Sequence, residues 1–305
     1  MLQTWEFLIF AMLVSATPLL LAAIGELVAE SSGVMNLGVE GMMAVGAATG
    51  FATAFATQDY WLALFVGALA GTMASAVFAI LVIFLRADQV ASGIAIGLLL
   101  LGVSAMIGRD YEGLSVPIME RLTLPVLSGI PVLGKGAFSQ NPIVYLTGIV
   151  AIATWWVLRR SRLGLVIRAV GENPHAAEVI GYRVWLVRFL ATLFGGFMAG
   201  LGGAFLSVAS TPLWVDGLVG GRGWIVISLI VFGTWRMGRI AFGALLFGFI
   251  ENLDFLLQAR GAVIPSQVLT CLPYAAAIVA ITIVSTNTRL TRLFAPRSLG
   301  QNYND

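Results

Sequence analysis

Apolar residues run along this chain in long blocks separated by short polar stretches. A helix needs about 20 apolar residues to cross the hydrocarbon core of a bilayer. On that length about nine spans are expected, at roughly 6–28, 35–57, 61–85, 90–108, 142–158, 186–208, 220–235, 239–258 and 267–286. The seventh block is short, and the second is glycine-rich and polar at its start. Either is a candidate for a broken or re-entrant helix, so the count is about eight to ten. The fold class is therefore all-α, a polytopic transmembrane helical bundle forming a single domain over 1–305. The opening block has no basic flank and is longer than the apolar core of a secretory signal, so it is expected to be retained as the first span.

One polar island breaks the pattern. "IRAVGENPHAAEVIGYRV", Ile167–Val184, carries Arg, Glu, Asn, His, Glu and Arg between two apolar blocks. It is punctuated as a helix of about two turns: Asn173 suits the N-cap, Pro174 the first helical position and Gly181 the left-handed C′ position. By spacing, Ala176, Val179 and Ile180 share one face, and His175 and Glu178 another. A helix that short is not stable alone in water and must dock on something. Either it folds onto its own protein at the membrane surface, or its apolar face enters a groove on a separate partner that drives it.

Composition agrees with the blocks. The chain is 59% hydrophobic and 10% charged, where soluble domains carry about 25% charged residues. The single Cys271 excludes an internal disulfide. Glycines recur four apart at Gly46/Gly50, Gly67/Gly71, Gly93/Gly97 and Gly196/Gly200, spacing that lets helices cross closely. Basic residues are unevenly placed. With the N-terminus outside, twelve fall on the inner side (Arg86, Arg159, Arg160, Arg162, Arg168, Arg183, Arg188, Arg236, Arg239, Arg289, Arg292 and Arg297), and five on the outer (Arg109, Arg121, Lys135, Arg222 and Arg260). The positive-inside rule then puts the polar helix and the C-terminus in the cytoplasm. It also makes 109–141 an outer loop, irregular by its Pro and Gly content.

Several chemistries are missing. The only histidine is His175 and the only cysteine Cys271, so there is no HExxH motif and no His/Cys metal cluster, and no Ser-His-Asp order to test. "GIPVLGKG", Gly129–Gly136, has the spacing of a phosphate loop, but Gly136 stands where Ser or Thr must hold magnesium and Pro131 sits inside. This chain is not expected to hydrolyse ATP. A proton or sodium relay needs ionisable groups within spans; Glu26, Glu40, Glu251 and Asp254 are the candidates, and all but Glu40 lie near expected span ends.

Five blocks together resemble one family. "GELVAESSGVMNLGVEGMMAVGA" (Gly25–Ala47), "ADQVASGIAIGLLLLGV" (Ala87–Val103), "GLVIRAVGENPHAAEVIGYRV" (Gly164–Val184), "GGRGWIVISLIVFGTWRMGRIAFGALLFG" (Gly220–Gly248) and "LPYAAAIVAI" (Leu272–Ile281) are similar to blocks of bacterial ABC importer permeases of the nucleoside and simple-sugar type. These belong to the broader ribose and branched-chain amino acid permease superfamily. The resemblance implies a non-enzymatic transport subunit in the bacterial inner membrane, importing nucleosides or nucleobases by alternating access. It also implies a cytoplasmic ATPase that uses ATP and magnesium, a second related permease chain as heterodimer partner, and a substrate-binding lipoprotein or periplasmic protein. No cofactor is expected on this chain itself, and no nucleic acid. The same machine with a simple sugar or branched-chain amino acid as cargo is the alternative, and an ion-coupled secondary transporter the more distant one. Two positions depart from the family: Gly97 stands where Asn is expected, and "RMGRI" follows Trp235 where a proline is expected.

On this reading the segment at about 159–185 couples the permease to its ATPase, through Arg168, Asn173, Pro174, His175, Ala176, Ala177, Glu178, Val179, Ile180 and Gly181. Asn36, Glu40 and Gly97 are candidates for the substrate pathway. Asn36 and Glu40 lie one helical turn apart on the same side, and their competing role is a helix cap or an interhelical hydrogen bond. Arg222 is a candidate contact for the binding protein. Glu251, Asn252 and Asp254 are expected at a solvated helix end. The tryptophans near span ends, Trp155, Trp156, Trp185, Trp214, Trp224 and Trp235, are expected in aromatic belts.

Overall fold

The computed structural model describes residues 2–123, 134–253, 257, 271–272, 275, 278–279, 282 and 295–301. Eleven helices lie among them: α1 (Leu2–Ser31), α2 (Val39–Thr57), α3 (Tyr60–Ala79), α4 (Gln89–Gly108), α5 (Gly134–Phe138), α6 (Pro142–Arg160), α7 (Arg162–Glu172), α8 (Pro174–Val179), α9 (Val184–Phe205), α10 (Arg222–Gly233) and α11 (Met237–Glu251). A π-helical turn extends α3 through Ile80–Phe84 and another extends α9 through Leu206–Ser210. Two two-residue strands, β1 (Leu122–Thr123) and β2 (Ser139–Gln140), pair antiparallel in the 109–141 loop. The loop thus holds α5 and a short ribbon besides irregular chain.

Among the described residues six helices are long and apolar enough to cross a membrane: Trp5–Ser31, Val39–Thr57, Tyr60–Phe84, Gln89–Tyr111, Pro142–Arg160 and Val184–Ser210. They correspond to the first six expected spans. The ninth, 267–286, falls mostly outside the described residues. The seventh and eighth are the short pair α10 and α11, of 12 and 15 residues. At 1.5 Å per residue α10 is about 18 Å long, less than the hydrocarbon core of about 30 Å; beyond α11, Leu253 and Leu257 are also helical. The second helix begins at Val39, and 32–38 before it is non-helical.

α9 is the centre of the bundle and packs on α1, α2 and α3. Lipid tails are as apolar as leucine, so helices here associate by close packing and interhelical hydrogen bonds. Both are present. A Cβ on Gly71 would lie 2.7 Å from the Gly200 Cα, and one on Gly41 2.8 Å from the Gly97 Cα. Gly46 and Gly67 are in contact in the same seam. The paired glycines of the sequence are therefore helix crossings. Ser207 donates its hydroxyl to the Ala47 carbonyl at 2.8 Å and Ser104 to that of Ala44 at 2.9 Å, tying α9 and α4 to α2.

The two ends of the bundle differ. At one end α1 finishes, α4 and α9 begin, and α7 and α8 lie with the turn between α10 and α11; this is the arginine-rich end. At the other, Val116 N–H donates to the Pro212 carbonyl at 3.1 Å, and Gly113 and Leu114 exchange backbone hydrogen bonds of 3.0 Å with Trp214.

Candidate functional site

The polar island folds as two helices. α7 begins at Ser161, whose hydroxyl accepts from Gly164 N–H at 3.1 Å. It is amphipathic, with Val170 fully buried and Leu163 and Leu165 exposed. α8 follows after one residue. Asn173 accepts from Ala176 N–H at 3.0 Å as N-cap, Pro174 opens the helix, and Gly181 has φ +100°. Gly181 N–H donates to the Glu178 carbonyl at 2.7 Å and Tyr182 N–H to that of Ala177 at 3.1 Å, which closes the C-terminal turn.

The faces of α8 are divided. Ala177 is 2% exposed and packs with Val170 and Val184 in a small cluster. Val179 and Ile180 are 89% and 76% exposed, and Ala176 is exposed beside them. So Ala177 anchors α8 to α7 and α9, while Ala176, Val179 and Ile180 project an apolar patch away from the protein. His175 and Glu178 are exposed on the same short helix. Arg168, on α7, donates Nε–H to the Gly164 carbonyl at 3.3 Å and lines a cavity of about 810 Å3 together with Arg159, Arg236 and Arg239.

A second polar site lies inside the bundle, where α2 and α10 begin. The Glu40 carboxylate accepts from Gly221 N–H at 2.7 Å and from Gly223 N–H at 2.6 Å. These are free donors at the N-terminus of α10, where the helix dipole also favours negative charge. Glycine is required at both positions for different reasons. Gly221 has φ +82°, and a Cβ on Gly223 would lie 2.5 Å from the Glu40 backbone. Asn36 is 2% exposed. Its side-chain oxygen accepts from Gly38 N–H at 2.9 Å, and its own N–H donates to Glu26 at 3.1 Å. Gly97 is buried against Gly38 and Gly41. The three pathway candidates are thus brought together at one junction, and both oxygens of Glu40 hold α10 in place.

Arg222 sits between the two glycines. Its Nη1 donates to the Leu218 and Val219 carbonyls at 3.1 and 3.0 Å, and its Nη2 forms an ion pair with Glu251. The guanidinium expected to meet a delivery protein is committed within the chain, closing the start of α10 onto the end of α11. Asn252 corrects the expectation of a solvated end, while Glu251 stays partly exposed. Asn252 is 7% exposed and donates to Ser15 Oγ at 2.9 Å and the Gly248 carbonyl at 2.8 Å. Asp254 lies outside the described residues.

Two tryptophans leave the expected belts. Trp214 is 2% exposed and packs on Phe51, ring centres 6.0 Å apart. Trp235 donates Nε1–H at 2.6 Å to Glu30, a buried carboxylate. Trp155, Trp156, Trp185 and Trp224 remain exposed, as belt residues are. The Glu30–Trp235 pair was missed because Glu30 falls at a span end, where an acid reads as solvated. Its signal was the spacing to Glu26, four residues earlier on the same helix face.

A bundle of six helices long and apolar enough to span, with the short helix α10 capped by the buried Glu40 carboxylate, defines a multi-pass integral membrane protein. The chain belongs to the family of branched-chain amino acid transport system permease components, whose pattern it matches over residues 8–286. It is 38% identical to a Haloferax volcanii protein provisionally named glucose ABC transporter permease protein TsgC13, over 95% of both chains. It is 32% identical to the nucleoside ABC transporter permease protein NupC of Lactococcus lactis, over 99% of this chain and 98% of that one. It is 35% identical to the guanosine ABC transporter permease protein NupQ of Bacillus subtilis, over 92% of both. No solved structure matches. The chain is a permease subunit of the ABC importer class.

Proposed function

We propose that this permease carries nucleosides or nucleobases across the membrane, driven by a separate ATPase that docks on α8. The observation that carries the docking reading is the division of α8, with Ala177 buried in its own protein and Val179 and Ile180 almost fully exposed. An apolar pair held out on a capped, anchored helix suits a partner's groove. The arginine-rich end is then cytoplasmic, with the N-terminus outside. ATP-driven closure of the ATPase moves α7 and α8, and the motion alternates access at the junction of α2, α10 and α11. This chain binds no cofactor in that scheme; ATP and magnesium act on the partner. A second, related permease chain and an external substrate-binding protein complete the importer.

The nucleoside cargo rests on near full-length similarity to NupC and NupQ. A simple-sugar cargo is the second reading, favoured by the higher identity to the glucose-type relative. Calorimetry on the cognate binding protein with guanosine, other nucleosides, glucose, ribose and amino acids separates them. Tight binding of nucleosides alone supports the first reading; tight binding of only glucose or ribose replaces it with the second.

A further inference from the structure

The last described segment of the chain, 295–301, is built into the arginine-rich end. Ser298 is 5% exposed. Its N–H and its hydroxyl both donate to the Gly171 carbonyl, at 3.0 and 2.7 Å. Gly171 is in the last turn of α7, two residues before the cap of α8. Arg188, 3% exposed in the second turn of α9, reaches three ways from one guanidinium. Nη2 donates to Ser298 Oγ at 3.0 Å, Nε to the Ser32 carbonyl at 3.2 Å, and Nη1 to the Gln301 carbonyl at 3.5 Å. Gln89, 1% exposed at the start of α4, donates to the same Gln301 carbonyl at 3.1 Å and accepts from Met35 N–H at 2.8 Å.

These bonds join elements distant in sequence. On one side is the end of α7, which carries α8. On the other is the connector 32–38, which runs through Asn36 directly into Glu40 and so to the cap of α10. Gly33 shows how close the fit is. It has φ +93°, and a Cβ there would lie 2.8 Å from Arg188 Nη2. Arg297 adds an ion pair to Glu172 at 2.8 Å. That pair is exposed, with side chains 81% and 54% accessible, and exposed pairs contribute little. The buried bonds to Arg188 and Ser298 are different. A buried guanidinium is costly to leave without partners, and Arg188 has three, at 3.0 to 3.5 Å. They link the end of α7 to the connector through buried side chains.

We propose that Arg188 and Ser298 are positioning residues of the coupling step, and that the C-terminal segment is a strap transmitting displacement of α7–α8 to the 32–38 connector. The proposal rests on the reading of α8 as the ATPase contact. A stroke applied to α8 reaches Gly171, passes through Ser298 and Arg188 to Ser32, and arrives at Glu40 and α10. Without the strap, α7 still meets the end of α1 sterically at Gly171 but no longer pulls the connector with it.

The test uses the whole importer, purified with its ATPase and binding protein and reconstituted in liposomes. Cargo uptake and ATP hydrolysis are measured together for Ser298→Ala and Arg188→Lys. Ser298→Ala removes one hydroxyl and leaves the backbone bond to Gly171. Arg188→Lys keeps the charge and loses the three-way fork. The expected result is normal abundance and normal ATPase retention, with cargo moved per ATP lower by about three- to tenfold. An unchanged ratio in Ser298→Ala overturns the proposal, even where Arg188→Lys fails to assemble. Val179→Asp, measured in parallel, judges the reading beneath it. If that variant still retains the ATPase, the docking of α8 is wrong and the strap has no stroke to transmit. If it loses the ATPase while Ser298→Ala keeps its ratio, docking stands and only the strap falls.

Discussion

Glu40→Ala is the most informative single substitution in the buried junction. The carboxylate is 7% exposed and accepts two backbone N–H groups, from Gly221 at 2.7 Å and Gly223 at 2.6 Å. Its removal leaves the buried Gly223 N–H and the half-buried Gly221 N–H without that partner, at about 1–3 kcal/mol each, and takes a charge from the N-terminus of α10, about 0.3–2 kcal/mol more. A total of about 2–8 kcal/mol is expected, where single substitutions commonly cost about 0.5–3. Glu40→Gln keeps one acceptor and turns an amide N–H2 toward the other donor, so it should lose about half as much. Thermal unfolding in detergent, followed by fluorescence-detected gel filtration, reads this directly. With about 2–4 °C per kcal/mol for chains of 150–250 residues, Glu40→Ala should melt about 4–32 °C lower and Glu40→Gln less. If Glu40→Ala melts with the wild type, the carboxylate does not hold α10, and its role must be sought in the pathway alone.

Other outcomes follow from the same geometry. Val179→Asp and Ile180→Asp should leave the chain in the membrane but weaken retention of the ATPase by about tenfold or more, as loss of a contact anchor does; pull-down on the tagged permease checks it. Ala177→Arg should instead destabilise the α7–α8 unit, because its Cβ is packed against Val170 and Val184; limited proteolysis should cut that segment faster than in the wild type. Gly71→Leu should nearly abolish folded protein, since the seam with Gly200 has no room for a side chain, and overpacking costs about 1–3 kcal/mol or more. A double-mutant cycle on Arg222 and Glu251 should return a coupling of about 1–3 kcal/mol in thermal stability; additive losses would mean that the ion pair does not hold α10 to α11.

The spans were legible because each is a local property of about 20 residues. α8 was legible for the same reason: cap, proline and terminal glycine sit within nine residues, and the structure places Asn173, Pro174 and Gly181 in those roles. What sequence could not show is pairing across the chain. Glu40 and Gly221 are 181 residues apart, so an intramembrane acid that caps another helix looks like one that lines a pathway. Arg222 read as an outward cation because Glu251, its partner, stood in a different expected span. Trp214 read as a belt residue because the burial of an aromatic depends on the ring stack it meets. Arg188 was counted only as an inner-side charge, although it lies four residues inside α9, a depth at which an unpaired guanidinium is costly.

If this chain is the membrane path of an ATP-driven nucleoside importer, as proposed above, cargo and energy source can be read in one experiment. The most direct measurement is uptake of radiolabelled guanosine into liposomes that contain this chain, its sister permease and its ATPase, with the binding protein supplied outside. Uptake should require ATP inside, persist when sodium and proton gradients are collapsed, and disappear with Val179→Asp. Uptake that runs on an ion gradient without ATP would contradict the importer. ATP-driven uptake of glucose with guanosine left outside would contradict the cargo.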